Sequence, residues 1–379
     1  MKRIKQKRYL NWLGGLALLG LLTVTCLARC LPAAKGQQIE RLGEQLLGKL
    51  SDRATVERLG TLDSPLIPES SGLAISGYRD DVLWTVNDSG NTNHLFGLTF
   101  TGDLLCRVKL EGTTNRDWES MARWRRDQQH FLIVAEVGDN LARYPVYSLF
   151  FLEEPQFEID PSGALPIELI AHPQRLDFVY EDGARDCEAV AVDPLTGDIW
   201  LVEKVASLNP NRQPAGVYHI PFSHGIEPLW KLTTDPLKNK KQDNNQDKKQ
   251  DNGQKADGRG SSPDQTPVKV ERLGDLPYRY VTGMDFSADG NWLVIRTYPQ
   301  ALLYHRGVDE SWLEAFQKRT PQTIILPIQR QGETVAFTND SQAVIITSEK
   351  VGQPIWRIDL QKLQTAIKSA AEGPGYPLP

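Results

Sequence analysis

The 379-residue chain is 40% hydrophobic and 24% charged, with a net charge of −5, a composition ordinary for a soluble globular protein. No basic field is present, which excludes nucleic acid as a partner. The length allows one large domain or two small ones, and nine Trp among short Val-, Ile- and Tyr-rich runs favour strands.

The chain opens on the basic "MKRIKQKRY", followed by the uncharged apolar run Leu10 to Ala28. A positive segment followed by an apolar one is a signal peptide. The run also has the length of a bilayer-spanning helix, so residues 1–34 read as a cleaved signal or an N-terminal anchor. Either way the rest is expected to be exported: periplasmic, at the cell surface, or anchored and facing outward. Cys26 and Cys30 invite a lipoprotein reading, but Thr25 and Arg29 precede them, where a lipobox takes a small residue. Only Cys106 and Cys187 remain in the exported part. Pairing in an oxidising compartment and burial as two free thiols both stay open. In residues 35–55, Leu42, Leu46, Leu47 and Leu50 have helical spacing and predict a short amphipathic arm.

From about Val56 to residue 365 the pattern changes to short strands that repeat. "VERLGTL" at Val56 returns as "VERLGDL" at Val270. "NRDWESMARW" from Asn115 and "ARDCEAVAVD" from Ala184 share Arg-Asp-x-Glu-x-x-Ala. With "PESSGLAIS", "YVTGMDFSA" and "QGETVAFTN" they align Glu69, Glu119, Glu188, Thr282 and Glu333 at one position. Two more strands follow each block, and counting the strand before the acid gives four per unit. Units of roughly fifty residues with four strands are β-propeller blades. The expected fold is therefore an all-β propeller with four-stranded antiparallel blades. Five blades are counted, with six as the alternative if Glu153–His172 holds a degenerate one. Residues 237–267 have almost no apolar side chain and read as a disordered insertion. "SWLEAFQKR" from Ser311 predicts a helix between units, and residues 366–379 a C-terminal tail.

In such a fold the innermost strand of each blade lines a central channel, so the aligned position becomes a ring. Four carboxylates there repel one another and need a cation, protons or basic partners. Oxygen-only ligands suit a hard ion such as Ca²⁺. The expected metal ligands are Glu69, Glu119, Glu188, Thr282 and Glu333. A second ring is expected at the end of the next strand: Asn87, Glu136, Glu203, Arg296 and Glu349, with Asp88, Asp139, Asn140, Lys204 and Lys350 beside it. A Glu at a strand start is also an ordinary solvated turn acid, and "NDSG" and "GDN" are good turn sequences. The six His show no zinc-ligand spacing, and no P-loop, Gly-x-Gly-x-x-Gly or Gly-x-Ser-x-Gly is present.

The run "ESSGLA…NDSG…DWESMA…GDN…R" between Glu69 and Arg143 resembles secreted bacterial propellers grouped as phytase-like or esterase-like. The Glu pattern is similar to that of calcium-activated nucleotidases (apyrases). This resemblance implies a Ca²⁺-dependent phosphoester hydrolase or a relative that has kept the fold; the expected partner is an anionic small molecule or phosphoester, and the expected state a monomer. Thr282 departs from the Glu pattern. On that reading Arg296 and Lys204 bind the substrate and Glu136 or Glu203 is the base. The competing expectation is a non-enzymatic envelope scaffold with a structural metal, touching the membrane only through its N-terminal segment.

Overall fold

The computed structural model describes residues 55–158, 166–206, 214–234 and 266–372. The expected leader, all but the last residue of the helical arm, and the insertion up to residue 265 lie outside the described residues. Among the described residues no helix is long and apolar enough to cross a membrane.

The chain is mostly β. Strands β1 (Thr55–Leu62), β2 (Ser70–Ile75), β3 (Val82–Asn87), β4 (His94–Thr99) and β5 (Leu104–Leu110) come first. Next are β6 (Trp118–Arg126), β7 (Gln129–Glu136), β8 (Tyr147–Glu153), β9 (Ile167–Ala171) and β10 (Gln174–Tyr180). Then follow β11 (Cys187–Val192), β12 (Ile199–Glu203), β13 (Ala215–Ile220) and β14 (Val268–Leu276). The last are β15 (Val281–Phe286), β16 (Trp292–Thr297), β17 (Gln300–His305), β18 (Gln322–Ile325), β19 (Thr334–Phe337), β20 (Ala343–Thr347) and β21 (Gln353–Asp359).

These strands form sheets ordered β2-β3-β4-β5-β9, β6-β7-β8-β10-β14-β13-β12-β11, β15-β16-β17-β18 and β19-β20-β21-β1. The eight-stranded sheet is joined by a short parallel pairing of β10 with β14 at Phe178–Val268 to Tyr180–Val270. Strands β2, β6, β11, β15 and β19 neighbour one another in a closed cycle, each touching the next and β19 returning to β2. All are short and buried along their length apart from the last residues of β6.

The strand before each acidic block does not belong to the unit that block opens. β1 lies antiparallel to β21, pairing Val56 with Ile358 and Thr61 with Pro354. The "VERLGTL" strand thus completes the last sheet of the chain. Likewise β14 pairs β13, and β18 pairs β17. Each such strand is the last antiparallel member of the preceding strand group, from which the chain crosses to the next inner strand. Glu153–His172 contributes β9, which adds to β5 as a parallel fifth strand.

Apolar clusters fill the wedges between successive strand groups. One brings Trp84 and Val86 against Trp118, Val134 and Phe150, and another brings Trp292 and Leu303 against Val335, Phe337 and Trp356. Each fully buried side chain of this size contributes roughly 1.5–3 kcal/mol. Trp118 and Cys187 occupy equivalent places just before their acids but pack into different wedges, so their exchange is a difference of packing. Cys106 and Cys187 are both free and buried, which settles the alternative left open by their count. Burial pushes each thiol up to about 12.

Helix α1 (Ile226–Thr234) was not expected from the sequence; its Ile226 and Leu229 join the cluster around Phe151 and Phe178. Helix α2 (Trp312–Lys318) stands where expected, opened by a capping box between Ser311 and Glu314. Helix α3 (Gln361–Glu372) starts before the expected boundary at residue 365 and runs into the expected tail.

Candidate functional site

A β-bulge recurs at the second residue of the inner strands. The register shifts between Ser70 and Gly72, Trp118 and Ser120, Cys187 and Ala189, and Val281 and Gly283. The extra residues are Ser71, Glu119, Glu188 and Thr282. Glu333 precedes Thr334, which faces Thr347 as Gly283 faces Arg296. A bulge re-aims one side chain out of the ladder, and here it does so at equivalent points around the cycle. The first position is Ser71, not Glu69.

Glu69 lies two residues earlier, part-exposed, where it accepts from Lys350 Nζ at 3.0 Å and from Asn91 Nδ2 at 3.0 Å. The Lys350 contact holds its carboxyl below the usual range. The sequence alignment slipped because Glu69 fits the motif as well as Ser71 does, and only the bulge fixes the register.

The remaining positions form one buried group. Glu119 is 4% exposed, and Glu188 and Glu333 are each 2%. Ser71 Oγ donates to Glu119 Oε2 at 2.7 Å, and Lys204 Nζ donates to Glu188 Oε1. Thr282 Oγ1 donates to the Gly332 carbonyl at 2.9 Å. No donor reaches hydrogen-bonding geometry at Glu188 Oε2 or at either Glu333 oxygen, although the Tyr298 side chain lies near enough to Glu333 to act on its carboxyl. Burial raises all three carboxyls. Repulsion from Glu188 adds to it at Glu119, and repulsion from Glu333 adds to it at Glu188. For Lys204 burial opposes the charge, but Glu188 and Glu333 outweigh it and hold the ammonium above its usual range.

Two acids that the alignment left as neighbours complete the site. One oxygen each of Asp88, Asp117 and Glu119 lie within 4.8 Å of one another. Asp88 follows β3 and Asp117 precedes β6, so the trio joins two strand groups. Burial and the nearby Asp88 push Asp117 up to about 6. Asn115 fastens the two halves. Its Nδ2 donates to the carbonyls of Asn87 and Asp88 at 2.9 Å each, and its Oδ1 accepts from Trp118 N at 3.1 Å. A Cβ on Gly138 would stand 2.7 Å from Cγ of both Asp117 and Glu119, so glycine is needed there to let these acids sit together. Asn115→Ala is expected to weaken divalent-cation binding about 10- to 100-fold, as loss of a ligand-orienting partner does. Isothermal titration with Ca²⁺ checks this, and unchanged affinity would refute the bracing role.

The expected second ring is not gathered in the same way. Glu136 accepts from Arg116 N at 3.1 Å, with Arg116 Nε at 3.7 Å. Glu203 accepts from Gly216 N at 3.2 Å. Both serve their own strand groups. Arg296 is wholly buried, and its guanidinium donates to the carbonyls of Thr334 and Thr347 and to Gln329 Oε1. Burial lowers it to about 10. It pins β19, and thereby Glu333, to β16, and a Cβ on Gly332 would collide with it. Glu349, 3% exposed, is pushed up to about 7 by burial and by Glu333 and Asp88.

The other end of the inner strands is laced shut. Arg123 of β6 donates to the Phe337 carbonyl of β19 at 2.9 Å and to Asn339 Oδ1. Asp285 of β15 accepts from Phe337 N at 2.7 Å.

The donor set is all oxygen and close-spaced, buried at Asp117 and Glu119 and part-exposed at Asp88, with unpartnered carboxylate oxygens alongside. That chemistry fits a hard divalent cation such as Ca²⁺.

No family model matches the chain, and no curated protein matches it. Among solved structures it is similar to a gluconolactonase from Xanthomonas campestris (13% identity, TM-score 0.37, 82% of this chain and 92% of that one). It is also similar to a glucose dehydrogenase (10% identity, TM-score 0.38, 80% of this chain and 99% of that one).

Proposed function

We propose that the chain is an exported five-bladed β-propeller whose channel mouth holds a divalent cation, Ca²⁺ by preference, and hydrolyses a phosphoester of an anionic small molecule. The blade reading is supported by the closed cycle of β2, β6, β11, β15 and β19. The groups β2–β5, β6–β8 with β10, β11–β14, β15–β18, and β19–β21 with β1 are then four-stranded blades, with β9 an appended edge. Closure of the last blade by β1 ties the two ends of the propeller together. The basic and apolar N-terminal segments support export.

The observation that carries the functional reading is the trio Asp88, Asp117 and Glu119, within 4.8 Å of one another, next to buried unpartnered oxygens of Glu188 and Glu333. The trio would hold the ion, which when bound supplies Lewis-acid polarisation of a phosphoryl oxygen. Glu349 takes the acid–base role expected of Glu136 or Glu203, because its carboxyl is poised at about 7 near the ion site, where proton transfer at neutral pH is most effective. Lys204 holds Glu188 in place through its ammonium. Lys350, half exposed and lying between Glu69 at 3.0 Å and Glu349 at 3.5 Å, is the residue proposed to meet an anionic substrate.

Near-complete burial of the acids also favours a second reading, a scaffold propeller with a purely structural ion. The full chain should be assayed on nucleotides, phytate and simple phosphomonoesters with added Ca²⁺ and with excess chelator. Ca²⁺-dependent hydrolysis is expected. A melting temperature that responds to Ca²⁺ without any hydrolysis supports the structural ion instead. No response in either measurement removes the metal as well, since a ligand selective for the native state must stabilise it.

A further inference from the structure

Glu119, Glu188 and Glu333 come from equivalent points on β6, β11 and β19, and each is at most 4% exposed. Three carboxylates in such a place need protons or a positive charge among them. Such a charge is supplied by the chain itself. Lys204 follows β12, and its backbone N–H donates to the Asp186 carbonyl at 2.9 Å, beside the β11 entry that carries Glu188. Its side chain is 11% exposed. Its ammonium bonds Glu188, acts electrostatically on Glu333 and Glu119, and stands 5.6 Å from the centre of the Tyr298 ring.

A tethered ammonium differs from a metal ion in two ways. It brings one charge where a calcium ion brings two. It also offers three donors, so it cannot close the coordination of several carboxylates as an ion with six to eight oxygen ligands does. The mismatch is visible: Lys204 satisfies Glu188 Oε1, whereas Glu188 Oε2 and both Glu333 oxygens remain without hydrogen-bond partners.

We infer that Lys204 is a built-in counter-ion occupying what would otherwise be a second divalent-cation site made by Glu119, Glu188 and Glu333. Lys204 therefore sets the number of ions the protein takes. The first ion, at Asp88, Asp117 and Glu119, rests on the function proposed above; the axial site does not.

The test is calorimetric titration with Ca²⁺ of the wild type, Lys204→Met and the double variant Lys204→Met/Glu333→Gln, alongside melting curves in Ca²⁺ and in chelator. One ion is expected for the wild type, two for Lys204→Met and one for the double variant. At Ca²⁺ 100-fold above the second dissociation constant, the extra ion raises the folded-to-unfolded ratio about 100-fold. If Lys204→Met folds only when refolded with Ca²⁺, the inference is supported, because the ion then stands in for the lost ammonium. Lys204→Met that takes no more ions than wild type, or that fails to fold in Ca²⁺ as well as in chelator, overturns it. A wild type that binds none while Lys204→Met binds one removes the first ion, and with it the proposed function, but leaves the axial site standing.

Discussion

Glu119→Gln is expected to weaken Ca²⁺ binding about 100-fold or more and to abolish Ca²⁺-dependent hydrolysis, while leaving the ion-free protein at least as stable as the wild type. The two halves of this expectation come from the same burial. Glu119 is the one residue common to the trio with Asp88 and Asp117 and to the buried group with Glu188 and Glu333. Removing its charge deletes a ligand from a site whose affinity depends on how many charged oxygens it offers. In the absence of an ion, however, that charge is a cost: burial disfavours it, and Glu188 and Asp88 repel it. Gln keeps the shape, and its oxygen can still accept from Ser71 Oγ, which now bonds the carboxylate at 2.7 Å. Calorimetric titration and melting curves in chelator check both halves together. A variant that melts well below wild type in chelator makes Glu119 a structural acid and ends its assignment as a ligand.

In chelator, stability is expected to fall as pH rises from about 5 to 7, and Ca²⁺ is expected to restore it increasingly toward neutral pH. Burial, with repulsion from Asp88, raises Asp117 from 3.8 to about 6. Burial, with repulsion from Glu333 and Asp88, raises Glu349 from 4.5 to about 7. Between those limits the native state holds protons that the unfolded chain has released, so each unit of pH removes stability, up to about 1.4 kcal/mol per fully mismatched proton. For Asp117 alone the window spans roughly two units, or about 3 kcal/mol as an upper bound. Asp285, raised to about 6 by burial, adds a loss in the same direction at the closed end of the strands, and Ca²⁺ does not cancel that one. An ion on the trio binds ionised carboxylates and opposes the loss there, so the gap between curves in Ca²⁺ and in chelator widens with pH. Thermal melts at pH 5, 6, 7 and 8 in both conditions measure it. A chelator curve that rises over this window would contradict the buried-acid account.

Much of this molecule is written locally. Alternating turn signals and short Val-, Ile- and Trp-rich runs specify strands because a half-buried pleated surface selects those residues. The repeat of Arg-Asp-x-Glu-x-x-Ala at Arg116 and Arg185 marks equivalent strands, and Glu119 and Glu188 do meet. Ser311 and Glu314 announce α2, because a capping box needs only residues three apart.

What the repeat cannot carry is register and partner. Whether Glu69 or Ser71 enters the group depends on a single bulge, which re-aims Ser71 out of the ladder and leaves Glu69 ahead of the strand. That choice was made by the pairing of β2 with β3, not by the motif. The "VERLGTL" strand looks like the start of the first unit and is the edge of the last, since closing a cycle pairs residues some three hundred positions apart, as Val56 is with Ile358. Asp88 reads as part of the turn sequence "NDSG" or a neighbour of the second ring, and Asp117 as a bystander in the repeat, until the approach of two strand groups, held by Asn115 and permitted by Gly138, gathers both acids with Glu119. Lys204, read from the sequence as a substrate ligand, lies in the structure against Glu188. By itself the sequence determined which strands form and which acids recur, because those follow from composition and spacing. Tertiary structure alone decided which acids converge and what neutralises them, because charge and burial are set by neighbours distant in the chain.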